Sequence, residues 1–186
     1  MTSDIVSMSF VIQLIEEILF NAFVSITEIE NQKYFIYMFQ YGNVKKIYTI
    51  GYQGRSIDEL IELLRKHRIQ HLVDVRSLPR SQMDDFNKEK LKESLFYKSI
   101  YYKHMSELGG LIETDYRERM KAKEWQIEYY DLKELAEEGK TVIMCMERDP
   151  MKCHRRFIAE KLEDDGFEVV HIGKGGSWKE KRLEDF

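Results

Sequence analysis

From Lys45 onward, short apolar runs alternate with longer segments whose apolar residues recur every three or four positions. Ile47-Tyr-Thr-Ile50 reads as a buried strand and Gly51-Tyr-Gln-Gly54-Arg55 as a tight loop. Ser56 and Glu59 have capping-box spacing, in which a serine oxygen and a glutamate each satisfy an open backbone N–H. They predict a helix running through His67 with Ile57, Leu60, Ile61 and Leu64 on its core face. His71-Leu-Val-Asp-Val75 is the next strand, so that strand, helix and parallel strand form the crossover unit of α/β folds.

The pattern continues less sharply. Asn87 is placed to cap a helix from Lys88 to about Tyr97, and Ile100-Tyr-Tyr102 reads as a short strand. Residues 115 to 138 are helical, with a break near Lys123; Trp125, Tyr129, Leu132, Leu135 and Ala136 share a face, and Gly139 is the stop. Thr141 to Cys145 is a strand, and Phe167 to Ile172 is the last. Between these two, a polar loop with Pro150 leads into a helical pattern that opens at Cys153, buries Phe157, Ile158 and Leu162, and stops at Gly166. The expected architecture is a Rossmann-like three-layer α/β sandwich with a mainly parallel sheet over 45–186. Residues 1–44 precede it as an extension. There Phe10, Val11, Leu14, Ile15, Ile18 and Leu19 fall at helical spacing opposite Gln13, Glu16 and Glu17, and 34–39 are rich in aromatics. The extension is expected to dock on the main domain or on a second copy of the chain.

Composition narrows the class. With 43% hydrophobic and 33% charged residues, the 186-residue chain is that of a globular protein able to bury a core without staples. A net charge of -4 provides no global basic field, so anion binding has to come from a local cluster and sequence-blind duplex binding is disfavoured. Two cysteines and no secretory pattern lead us to expect a cytoplasmic protein; the glutamates interrupting the apolar run at 10–23 speak against a membrane span.

Chemistry concentrates in Thr141-Val-Ile-Met-Cys145-Met-Glu147-Arg148-Asp-Pro150-Met-Lys-Cys153-His154-Arg155-Arg156, which carries both cysteines, an imidazole and three guanidiniums. Ligands of open parallel sheets bind outside the carboxyl ends of the strands. Gly51 to Arg55, Asp74 with Arg76, Cys145 with Glu147, and His171 are placed at or near four such ends, and converge if those strands are parallel neighbours. Cys153 is the nucleophile candidate, since a helix N-terminus, His154, Arg155 and Arg156 all lower a thiol pKa. Glu147 is the candidate acid or base, and Cys145 is either a second reactive thiol or a buried small hydrophobe. Gly51, Arg55, Asp74, Arg76, His154 and Arg155 are the ligand-binding candidates. Arg76 is equally suited to an internal pair with Asp74, and Arg156 to a surface pair with Glu160. Cys145, Glu147, Cys153 and His154 are an alternative set of four soft or borderline metal ligands, but adjacent Cys153 and His154 diverge if both are helical, and no CxxC pair exists. No metal site or cofactor is therefore assigned.

Thr49-Ile-Gly51, Val73-Asp74-Val75-Arg76 with Pro79, Leu108-Gly109-Gly110, and Met144-Cys145-Met-Glu147 followed by Pro150 and Cys153-His154-Arg155 occur in that order. Together, over about 47 to 172, they resemble the bacterial and archaeal family called domain of unknown function 488. The resemblance implies a cytosolic α/β domain with a polar site built from those motifs. Three function classes follow from the residues. One is an enzyme acting on a phosphate-bearing substrate, a nucleotide or nucleic acid; the second is a non-catalytic binding module of the same fold; the third is a metal or thiol-redox protein.

Overall fold

The computed structural model describes residues 45–110, 115–173 and 176–177. The expected N-terminal extension, with its helix over 8–24 and its aromatic run, lies outside the described residues. The six strands are β1 (Lys46–Gly51), β2 (His71–Asp74), β3 (Tyr101–His104), β4 (Thr141–Cys145), β5 (Glu168–Gly173) and β6 (Gly176–Ser177). The α-helices are α1 (Ile57–Lys66), α2 (Lys88–Phe96), α3 (Tyr116–Arg119), α4 (Lys123–Glu138) and α5 (Arg155–Asp164). Short 3₁₀ turns occupy Asp84–Phe86 and Pro150–Lys152.

The sheet runs in the order β3-β2-β4-β1-β5-β6. β1 to β5 are parallel, and only β6 turns back antiparallel against β5. Strand alternation divides the core into two layers. Ile47, Val73, Ile143, Cys145 and Val169 pack with Trp125, Tyr129 and Leu132 of α4 and Ile158 and Leu162 of α5. Tyr48, Ile50, Leu72, Val142, Met144 and Val170 pack with Leu60 and Leu64 of α1 and Leu91 and Leu95 of α2. The fold is thus an α/β three-layer sandwich. Each of the fully buried Leu and Ile side chains contributes about 1.5–3 kcal/mol to it.

The order of the strands positions the site. β1 and β2 are parallel members of one sheet but are separated by β4, which inserts between them and pairs with both. The chain runs β1, β2, β3 toward one edge with α1 and α2 on one face, then returns through β4 to β5 with α4 and α5 on the other. A reversal of direction that switches faces is what crossovers of one hand require. The carboxyl ends of β2, β4, β1 and β5 consequently lie side by side, as the convergence argument needs.

Local signals explain most boundaries. The Ser56–Glu59 capping box forms, with the Ser56 hydroxyl accepting from the Glu59 N–H and the Glu59 carboxylate from the Ser56 N–H. Asn87 does stand at the N-cap of α2, but makes no side-chain cap bond. Its amide accepts from the Ser81 N–H and donates to Asp84, closing the preceding loop instead. The helical region after residue 115 breaks between α3 and α4, and Gly139 ends α4. No helix among the described residues is long and apolar enough to cross a membrane.

Candidate functional site

β4 is buried along its whole length and delivers Cys145 at its carboxyl end. The loop that follows turns on Asp149, whose side chain accepts from the Met151 N–H, and on Pro150 at the first position of the 3₁₀ turn. This turn delays the helix. α5 begins at Arg155, with His154 at its N-cap, and the N–H groups of Arg156 and Phe157 are already bound to the carbonyls of Cys153 and His154. Cys153 is therefore not the opening residue of a helix, and those two first-turn donors are not free to cradle an anion.

The same turn changes the relation between Cys153 and its neighbour. Cys153 has extended backbone (φ -128°, ψ 145°) while His154 is helical (φ -57°, ψ -24°). Their side chains converge, contrary to the divergence expected of two helical neighbours. The sulfurs of Cys145 and Cys153 and a ring nitrogen of His154 all lie within 4.8 Å of one another. His154 Nδ1 is 3.8 Å from Cys153 Sγ and 4.0 Å from Cys145 Sγ.

The imidazole has one tautomer open to it when neutral. Its Nε2 lies 3.0 Å from the carbonyl oxygen of Val75, just past β2. A carbonyl can only accept, so Nε2 carries the hydrogen and Nδ1 presents a lone pair to the two sulfurs. Gly110 and Tyr116 fix the ring plane. A Cβ at Gly110 would lie 2.4 Å from ring atoms of His154, and the Tyr116 ring sits 5.4 Å from the imidazole, centroid to centroid. Tyr116 is held in turn by donating to the Leu108 carbonyl and accepting from Trp125 Nε1–H. Gly109 is equally constrained, because a Cβ there would meet Ser77 at 2.2 Å.

Both thiols are buried but not alike. The Cys145 thiol, hydrogen-bonding to the Cys153 sulfur, brings the Cys153 pKa well below the ordinary thiol range, and the Arg155 charge adds to the effect against the cost of burial. The same contact, with burial, pushes Cys145 up. The two thiols are thus driven in opposite directions, which favours the proton on Cys145 and the negative charge on Cys153.

Beside the thiolate lies an open pocket of about 410 Å³ lined by Gly110, Tyr116, Lys152, Cys153, His154 and Arg156, among others. Lys152 and Arg156 give it cationic character. Arg156 donates to the Met151 carbonyl and lies over the Phe157 ring; the expected surface pair with Glu160 is not made, because Glu160 pairs with Arg117.

The remaining candidates are placed as follows. Arg155 is 1% exposed; its two terminal nitrogens donate to the carbonyls of Glu147 and Arg148, so it fastens the loop after β4. Arg76 grips Asp74 through Nε (2.8 Å) and Nη2 (2.6 Å), donates from Nη1 to the Tyr52 hydroxyl, and is 5% exposed. Tyr102 donates to Asp74 Oδ2, the oxygen that also accepts from Arg76 Nη2, and His104 Nε2–H donates to the Arg76 carbonyl. Burial works against the Arg76 charge, but Asp74 and Tyr52 outweigh it and raise the pKa above its ordinary value. This is the internal pair closing the loop after β2. Arg55 donates from Nε to the Gly51 carbonyl, and burial together with Arg148 lowers its pKa. Gly51 is required because a Cβ would lie 1.9 Å from the Glu147 carbonyl oxygen. Glu147 itself is half-buried, is not among the pocket residues, and serves the fold through that carbonyl. His171 Nδ1 lies 2.7 Å from the Thr49 hydroxyl on the neighbouring strand, and His171 is not a member of the thiol cluster.

A family model described as Domain of unknown function DUF488 matches residues 56–162, more than half of the chain. The chain belongs to this family. No curated protein and no solved structure matches it. The DUF488 match is narrower than the resemblance over 47 to 172. It still takes in Val75, Gly110, Cys145, Cys153 and His154, so the whole thiol–imidazole cluster is inside the DUF488 domain. Residues 1–44 and β1 fall outside the match.

Three parts of the site were not singled out from the sequence: the Val75 carbonyl, Tyr116 and Lys152. The first has no side-chain signal. Lys152 had one, as the start of the basic run Lys152-Cys-His-Arg-Arg156, and Leu108-Gly109-Gly110 was visible as a motif without a partner.

Proposed function

We propose that this domain is an enzyme whose chemistry depends on the Cys153 thiolate, acting on a small phosphate-bearing substrate, a nucleotide or a nucleic-acid end, that enters the Lys152–Arg156 pocket. The observation that carries this reading is the placement of the Cys153 sulfur and the His154 imidazole on the wall of a pocket that Lys152 and Arg156 also line. A thiol held toward its charged form at the edge of a cleft supports a reactive cysteine over a merely buried one. The pocket volume suits a small molecule, and two adjacent cations favour a phosphate over a neutral ligand.

The division of labour follows from the contacts. Lys152 and Arg156 bind the anion; Cys153 supplies the sulfur charge; His154 holds a lone pair beside it through its tautomer; Cys145 shares its proton with Cys153. Arg76 and Arg155 act indirectly: Arg76 is taken up by Asp74 and Tyr52, and both terminal nitrogens of Arg155 by the carbonyls of the loop after β4. The net charge of -4 confines the reading to local anion binding, not to a broad duplex-binding face.

The test is turnover of nucleoside mono-, di- and triphosphates and short oligonucleotides, followed by chromatography. Cys153→Ser should abolish product formation while affinity for the nucleotide stays near that of wild type; Lys152→Ala and Arg156→Ala should raise KM. Binding without turnover by the wild type would replace the enzyme by a binding module. Full turnover by Cys153→Ser would remove the thiolate from the chemistry.

A further inference from the structure

We propose that Cys145, Cys153 and His154 form a mononuclear site for a thiophilic divalent cation, zinc foremost, with its open coordination position toward the Lys152–Arg156 pocket. This inference rests on the reading of the thiol cluster as the functional centre and says how the sulfur is used. Cys153 is then a metal ligand, and the group that meets substrate is what the cation holds in its open position.

Geometry is the first argument. Zinc binds sulfur at about 2.3 Å and imidazole nitrogen at about 2.0–2.1 Å, which places S and N roughly 3.6 Å apart in a tetrahedral site. The two observed S···N separations, 3.8 and 4.0 Å, need to close by only a few tenths of an ångström.

Orientation is the second. Metal-bound histidines use one ring nitrogen for the cation and donate the other N–H to a carbonyl or carboxylate, which fixes the tautomer before the metal arrives. His154 does this with the Val75 carbonyl, and Gly110 leaves room for the ring in that plane only by lacking a Cβ. A histidine that merely filled the core would not need its free lone pair aimed at two sulfurs.

Ligand number is the third. Among the described residues no other His, Cys, Asp or Glu joins the cluster. Three protein ligands with an open position is the pattern of catalytic zinc, whereas structural zinc is closed by four. The ligands come from a strand end, an extended residue fastened between a 3₁₀ turn and a helix, and a helix cap. All three supports are fastened by backbone hydrogen bonds of the fold itself.

The test uses the full chain, purified without chelator for metal analysis, then stripped and titrated with Co²⁺. The expected result is one metal per chain and, with cobalt, a thiolate-to-cobalt charge-transfer band accompanied by tetrahedral d–d absorption. Cys145→Ser and Cys153→Ser should change or abolish that band. His154→Ala should weaken cobalt binding about tenfold or more, and Arg156→Ala should keep the spectrum. Circular dichroism shows which variants fold, and His154→Ala carries the test if a cysteine variant does not. A folded wild type with no cobalt–thiolate band, or a band unchanged in Cys153→Ser, would overturn the metal site. Turnover that needs Cys153 but is indifferent to chelation would overturn it too, while leaving the thiolate enzyme standing. Cobalt bound without nucleotide turnover would support the metal site and count against the enzyme.

Discussion

His154 donates its Nε2–H to the carbonyl of Val75 at 3.0 Å, and this one bond turns the opposite nitrogen of the ring toward both cysteines. It ties the end of β2 to the cap of α5 across the carboxyl edge of the sheet. The site is thus built by backbone position as much as by side chains, and what perturbs the ring should perturb the chemistry without unfolding the domain.

Gly110→Ala tests that dependence. The added methyl would sit 2.4 Å from the imidazole, so the ring has to leave its plane. We expect metal affinity to fall about tenfold or more, as when outer support of a metal-bound histidine is lost. Cobalt titration reads the affinity, and the far-ultraviolet circular dichroism spectrum should be unchanged.

Asp74→Asn should act on stability instead. Asp74 is fully buried and accepts from Arg76 and Tyr102, so its neutralisation leaves the Arg76 charge buried without its counter-ion. Breaking such a pair costs about 3–5 kcal/mol. Urea denaturation should show a lower midpoint with little change in slope.

The pH dependence of Cys153 alkylation follows from its depressed pKa. Only the thiolate reacts, so a thiol depressed in the folded state stays reactive as pH falls through the ordinary thiol range and loses reactivity only near its own lower pKa. In chelated protein, iodoacetamide should label Cys153 well below pH 8 at a nearly constant rate. Cys145, pushed the other way, should stay unlabelled over the same range. The unfolded chain should lose labelling as pH drops below roughly 8.5.

Much of the fold is legible in the hydrophobic pattern of the chain. β1, β2, β4 and β5 are short apolar runs, α1 and α4 carry a helical period, and the Ser56–Glu59 box marks a start that forms as expected. The order of the strands could not be read, because insertion of β4 between β1 and β2 leaves no trace in either strand. The site was half legible. Cys145, Cys153 and His154 were candidates on residue type alone, but their convergence depends on the extended backbone of Cys153, which the Asp149-Pro150 turn imposes. Arg76 and Arg155 have the right chemistry for an anion, yet both are buried, Arg76 against Asp74 and the terminal nitrogens of Arg155 against backbone carbonyls. A sequence shows that a guanidinium is present, not which oxygen reaches it first.

Protection of Cys153 from alkylation by inorganic phosphate tests the central claim most directly, since it joins the thiolate and the cationic pocket in one readout. In chelated wild-type protein, phosphate should slow labelling of Cys153 in a saturable way, and Lys152→Ala with Arg156→Ala should abolish the protection without changing the unprotected rate greatly. Labelling that phosphate leaves untouched in the wild type, or protection that survives loss of both cations, would contradict an anion site beside the Cys153 thiolate.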